Sequence, residues 1–399
     1  MRIVNDLKAF ASIKGSRVLI AAMFGYGIGT GILAPMNAVY LKDSIGLSKG
    51  EVTSIFAITL LLNMIVTISV GLVSDRIRRR KPIPVAASLL CLIGILVYMR
   101  ADSYGSALGG MLLASVPSGM ITGQLFAMGR NHFAKRAPEI VEIAQIWLRT
   151  TLSIGFFTGL LLGANLYLLA TFQGVLWGNV AGYALLFVLL LVYREISAEA
   201  APAAAKGGEP FSLLMLIALL ILSCADAIRG LYLPLVVNET FGSPRLMPYI
   251  WSVQAIFELL FMTVAGYWAA KYGSKPVILL SSLLALITYL TYAFSSSLPA
   301  FFLVQPLYSG FVSVLYAVGM GYVQRMFLLR TGFGASLYVF ISQTATLIGY
   351  GLPLLIEGLT PRIFYIPSAL IVLSVCLMTV VLVKERRGRQ HVPVAGLDG

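Results

Sequence analysis

Charge is scarce in this chain. Only 11% of its 399 residues are Asp, Glu, Lys or Arg, while 59% are hydrophobic. Soluble domains carry about a quarter charged residues, so a water-soluble globule of this size is excluded. Histidine occurs only as His132 and His391, far apart and without a metal-binding pattern. Cys91, Cys224 and Cys376 each lie inside an apolar run with no ligand or redox spacing, and read as small packing groups. No G-x-x-x-x-G-K-[ST] loop occurs, which argues against ATP hydrolysis, and "GYGIGTG" at 25–31 follows no strand. It reads as helix packing or a flexible first helix. No Ser/His/Asp or Cys/His set is present, so neither an enzyme nor a cofactor is implied.

What the chain has in abundance is apolar runs of about 20 residues, each long enough to cross a hydrocarbon core. They place spans near 17–41, 52–74, 82–99, 104–128, 140–165, 167–193, 210–237, 247–270, 276–296, 299–322, 335–357 and 362–383. Only helices suit these lengths, because a barrel strand needs about ten alternating residues. The fold class is an all-α polytopic membrane protein. Its twelve transmembrane helices form two pseudo-symmetric six-helix bundles. The first run is too long for a cleaved signal peptide and reads as a retained span.

The basic residues, which give a net charge of +13, sit in the short gaps between runs. Membrane orientation explains them, and nucleic acid is not an expected partner. With both termini on the cytoplasmic side, the outer gaps receive only Lys42, Lys49, Arg100, Arg245 and Arg362. Arg149 and Arg229 fall inside spans, and every other Lys and Arg lies on the inner side. That asymmetry predicts a multi-pass protein of the cell membrane. The Ala-, Gly- and Pro-rich stretch "YREISAEAAPAAAKGGEP" marks a flexible cytoplasmic linker. The expected division is a half at 1–193, a linker at 194–210, and a second half with its tail at 211–399.

A phrase repeats 195 residues apart. "GLVSDRIRRRKP" at 71–82 and "GYWAAKYGSKP" at 266–276 share Gly71 and Gly266, then Arg76 and Lys271, and both close on Lys-Pro. Eight residues before each glycine stands an in-span polar residue, Asn63 or Glu258. Pro35 and Pro234 echo each other at a similar offset, so the halves read as a duplication.

These residues carry a resemblance. Gly71, Asp75, Arg76, Arg79 and Arg80 resemble the inner-loop motif G-x-x-x-D-R-x-G-R-R of the major facilitator superfamily. Arg78 departs from it where the motif has glycine, and the second copy keeps that glycine as Gly273. Within the superfamily, "QLFAMGR" at 124–130, "LRTTLS" at 148–153 and "ELLFMTVAGYWAAKYG" at 258–273 are similar to bacterial sugar efflux transporters. The resemblance implies gradient-driven transport, with the loop residues (and Gly266, Lys271 and Gly273 in the second copy) acting as a conformational latch. An acidic Asp75 also suits a helix N-terminus, whereas plain positive-inside anchoring needs only the arginines.

Charged side chains inside a bilayer are costly and usually functional. Glu258 is the leading candidate for proton coupling, with Asp226 next; a structural ion pair is the alternative for Glu258. Asp226 and Arg229 stand three apart on one helix face, and their pairing is either structural or opened by substrate. Arg149 matches an arginine of the sugar-efflux pattern. Candidates for substrate binding are Tyr26, Asn63, Gln145, Arg149, Arg229, Gln254, Gln343 and Tyr350, with Trp147 a further aromatic. Gly155, Gly159 and Gly163 form one small helix face and imply close packing. Antiporters of the superfamily usually carry proline after the middle glycine, where this chain has Leu160. The expected activity is proton-coupled efflux of a sugar or small glycoside by a monomer, with protons, a small-molecule substrate and the lipid bilayer as partners. Export of drugs or secondary metabolites is the alternative on the same fold, and a non-transporting membrane sensor is a third reading.

Overall fold

The structure, a computed structural model, describes residues 13–74, 79–195, 209–327 and 331–390, and every regular element among them is helical. The helices present apolar side chains outward around a largely apolar core that also holds polar groups. Leu61, Ile65, Ile68, Leu89, Ile93 and Leu96 point outward, while Asn37, Asn179, Arg229 and Gln305 are buried. That distribution suits lipid as the solvent, since hydrocarbon accepts apolar side chains and offers no partner to polar ones.

Nine described helices are long and apolar enough to cross a bilayer singly, and Leu246–Met262 with Val264–Tyr272 passes as a pair bent by 40°. Pro82–Tyr98 is a shorter apolar helix, and Val141–Val192 holds two spans rather than one. Its Ala170 and Thr171 leave helical geometry. A Cβ built on Gly178 falls 2.5 Å from a Leu166 methyl, although twelve residues of straight helix would separate them by about 18 Å. The chain therefore folds back at 170–171, and the described residues contain the twelve expected spans. Thr171 has φ 50, a conformation that costs a β-branched residue about 1–3 kcal/mol.

By internal packing the chain forms two units, Met1–Ala203 with Pro234–Ala255, and Ala204–Leu233 with Ile256–Gly399. In the first unit, Ser16–Leu33 lies against both halves of the folded-back helix. A Cβ on Gly27, Gly31, Gly155 or Gly159 would stand 2.2 or 2.3 Å from a facing backbone carbonyl oxygen. The glycine face at 155, 159 and 163 is thus a site of direct backbone approach, as expected. Pro35 and Pro234 behave differently: the first span stops at Leu33, whereas Leu213–Phe241 continues through Pro234.

The repeated Lys-Pro step places a helix-joining lysine in each unit, with different partners. In the first, Lys81 Nζ donates to the carbonyls of Leu191 (2.8 Å) and Tyr193 (2.7 Å), just where the sixth span ends. In return the Glu195 carboxylate accepts the backbone N–H groups of Arg80 and Lys81, which open Pro82–Tyr98. Each helix end leaves unsatisfied backbone groups, and each end here receives a charge of the favourable sign. In the second unit Lys275 is buried, and its Nζ meets Glu385 Oε1 at 2.5 Å and Glu209 Oε2 at 3.7 Å. Glu385 stands near the end of the twelfth span, Tyr365–Gln390. Gly273 has φ 87, so the tight turn before this lysine requires glycine.

Of the other expected latch residues, Asp75 and Arg76 lie outside the described residues. Gly71 is helical, Arg79 is exposed, and Gly266 and Lys271 are exposed on Leu246–Tyr272. Replacing Lys275 by Met would leave two carboxylates facing each other. Breaking one side of a buried ion pair costs about 3–5 kcal/mol, and the partial exposure of Glu385 (33%) reduces the expected loss to about 1–3 kcal/mol. Lys275→Met should lower the unfolding temperature in detergent, and adding Glu385→Gln should restore some of the loss. Additive losses in that double-mutant cycle would show that the clasp holds nothing together.

Candidate functional site

A polar network occupies the second unit, built from the seventh span Leu213–Phe241, the ninth span Ser274–Phe294 and the tenth, Leu298–Met326. Arg229 is 2% exposed, and a buried guanidinium must be answered from within the protein. Its Nη2 donates to Gln305 Oε1 at 2.9 Å and its Nε to the Tyr292 hydroxyl at 3.5 Å. Its Cζ stands 3.5 Å from the centre of the Tyr308 ring, a desolvated cation–π contact worth about 2 kcal/mol. Gln305 is fixed in turn, donating through Nε2 to the Tyr292 hydroxyl (2.7 Å) and the Phe301 carbonyl (2.5 Å).

Asp226 lies one turn before Arg229, and Tyr308 stands between them. The Tyr308 ring faces the guanidinium while its hydroxyl donates to Asp226 Oδ1. The other carboxylate oxygen, Oδ2, accepts from the Tyr316 hydroxyl at 2.6 Å. Tyr289 closes the network by donating to the Ala225 carbonyl at 3.1 Å. A carboxylate held by two phenols, with a cation one ring away, can accept a further hydrogen bond or a proton.

Glu258 belongs to this unit as well. Its backbone carbonyl accepts from Ser313 Oγ at 3.2 Å. Gln343 and Tyr350 are half-buried on Thr331–Gly351, and the Tyr350 carbonyl accepts from Tyr232 at 2.7 Å.

The remaining candidates fall in the first unit. There the fourth span is interrupted between Tyr104–Ser115 and Ser118–Arg136, at residues 116 and 117. Pro117 has no N–H, so the helix ladder opens. Asn63 Nδ2 donates to the carbonyls of Ser115 (2.9 Å) and Val116 (3.0 Å) beside this interruption. The Tyr26 hydroxyl donates to the Ser118 carbonyl at 3.1 Å and accepts from Thr122 Oγ1 at 3.2 Å. Both side chains are engaged in holding the break. Gln145 is half-buried, with a buried Nε2 that has no hydrogen-bond partner. Arg149 is exposed on the fifth span, and Gln254 and Trp147 are half-buried. No group of His, Cys, Asp or Glu that could hold a metal ion occurs among the described residues.

Sequence reasoning missed Gln305, Tyr308 and Tyr316. A signal was present, because Gln305, Tyr308, Ser309, Ser313 and Tyr316 recur at helical spacing and draw a polar stripe on an apolar span.

Comparison with known proteins places this architecture. Over 356 residues the chain is 22% identical to Sugar efflux transporter A of Escherichia coli (strain K12), covering 87% of this chain and 90% of that protein. It is 23% identical over 361 residues to a putative sugar efflux transporter of Deinococcus radiodurans, covering 87% and 91%. Among solved structures, the nucleoside transporter NupG superposes with a TM-score of 0.75 at 13% identity, covering 92% of this chain and 98% of that one. A POT family transporter does so with a TM-score of 0.75 at 14% identity, covering 93% and 96%. The family model of the Major Facilitator Superfamily matches twice, over residues 19–224 and 214–397. A doubled match across a chain of twelve apolar helices leaves one assignment: this protein belongs to the major facilitator superfamily.

Proposed function

We propose that this transporter couples proton entry to the export of a sugar or small glycoside. The observation that carries the reading is the half-buried Asp226 carboxylate, held by two tyrosine hydroxyls one ring away from Arg229. An acid at membrane depth is expensive unless it does something there. The substrate class follows from the names of the relatives, which run along most of the chain at low identity.

In this reading Glu258 carries the proton and Asp226 is the second acid of the path. Tyr26, Asn63, Gln145, Arg149, Gln254, Gln343 and Tyr350 are the residues offered to substrate, although the contacts of Tyr26 and Asn63 commit those two to shaping the fourth span. The potential supplies about 2.3 kcal/mol per charge per 100 mV, added to any pH difference. The protein works as a monomer of the cell membrane, divided at 1–193, 194–210 and 211–399, with both termini and the linker in the cytoplasm. Asp75 and the arginines beside it latch one state of the transport cycle.

Three measurements test this account. Glu258→Gln should abolish sugar flux driven by a pH gradient in reconstituted vesicles while retaining substrate exchange, because the amide keeps the shape but cannot titrate. Continued uphill transport by that variant would move the proton to Asp226. Asp75→Asn should slow turnover and leave substrate affinity nearly intact; turnover at the wild-type rate would return the loop to an anchoring signal. Cysteines introduced in the linker and in the tail should react with thiol reagents only from the cytosolic side, and labelling of intact cells from outside would break the orientation.

A further inference from the structure

The two tyrosines on Asp226 are not equivalent. Tyr308 is buried, its hydroxyl on Oδ1 and its ring fixed beneath Arg229. Tyr316, which donates to Oδ2, is 37% exposed. One donor is therefore built in, and the other can give way.

The backbone explains how both reach one carboxylate. Tyr308 and Tyr316 are eight residues apart, which in an α-helix turns the second about 80° away from the first. Tyr316 sits inside a π-helical turn, Val314–Gly319, in which the tenth span widens. The wider turn rotates less per residue than an α-helix, which brings Tyr316 back toward the face of Tyr308. The Tyr338 hydroxyl supports the turn from Thr331–Gly351 by donating to the Leu315 carbonyl at 2.5 Å. Such turns recur at functional sites.

We propose that the Asp226 carboxylate and the Tyr316 hydroxyl form a recognition site for a hydroxyl group of a polyhydroxylated substrate, with Tyr308 and Arg229 as its fixed wall. The proposal rests on the sugar reading and deepens it. A carboxylate offers about four lone-pair positions, and the two phenols occupy two of them. A substrate hydroxyl both donates and accepts, so it fits between the pair, donating to Oδ2 and accepting from Tyr316. The ring of Tyr316 beside the carboxylate gives the mixture of aromatic surface and polar group that sugar sites use. Arg229, one ring away, opposes the charge of Asp226, and so the site favours a neutral polyol over an organic cation.

The test uses the full-length protein in lipid nanodiscs, titrated with methyl glucosides, methyl galactosides and their monodeoxy analogues. A site that bonds a hydroxyl rejects the ligand lacking it, so one deoxy analogue should bind the wild type at least tenfold more weakly than its parent. In Tyr316→Phe the parent should weaken by about the same tenfold factor, and the gap between parent and analogue should close. Tyr338→Phe releases the wide turn without touching the carboxylate, and should narrow the same gap. Its result decides the matter if Tyr316→Phe does not elute as a single species. Full discrimination retained in both variants would overturn the site and leave the sugar reading standing. Failure of the wild type to bind any glycoside, with binding of lipophilic cations instead, would overturn both.

Discussion

Backbone groups in hydrocarbon have no water to fall back on, so every interruption of a helix must be answered by a side chain. Asn63 and Tyr26 answer the break that Pro117 makes in the fourth span. Tyr338 answers the wide turn of the tenth. Asn179, where the sixth span crosses the first, donates to the Gly29 carbonyl at 2.7 Å. Much of the polar chemistry inside these spans is therefore committed to the irregular places of the main chain. Those places in turn decide where the remaining polar groups point.

Charge follows the same constraint with higher stakes. At span ends it is used to join helices, as the Lys81 ammonium does on the Leu191 carbonyl, Glu195 on the Lys81 backbone N–H, and Lys275 with Glu385, each in its own unit. In mid-span it is enclosed, and Arg229 is surrounded by Gln305, Tyr292 and Tyr308 until little of it faces solvent. Replacing such a group by an apolar one of equal volume is often tolerated for stability elsewhere. Here the guanidinium is also the wall against which Tyr308 is held, so its removal would loosen Asp226.

The spans are legible in the sequence because 20 apolar residues in a row have few other uses. Their ends are less so. The first run continues to Leu41 in hydropathy, but its helix stops at Leu33, before Pro35. Hydropathy puts the turn between the fifth and sixth spans near residue 166, and it occurs at 170–171, where Thr171 takes a positive φ that glycine would have announced. Asp226 and Arg229 stand out as charges in apolar text. Tyr308 and Tyr316 do not, because a tyrosine in such a run reads equally as packing or as a member of an interfacial belt. Asn63 is conspicuous for its polarity, yet its neighbour Pro117 lies 54 positions away and only folding brings them together.

The wide turn in the tenth span gives this helix one residue more than its face requires. Point substitutions conserve that surplus, whatever they do to individual contacts. A single deletion within 314–319 would remove it, letting the helix close to ordinary pitch with the residues on either side still in register, whereas a deletion in the regular part of the span would turn them out of register by about 100°. Insertions and deletions are ordinarily the currency of loops. In this span the wide turn is a place that can lose a residue without turning the flanking faces, so kinship among proteins sharing this arrangement is to be sought in the face the side chains present rather than in the length of the helix.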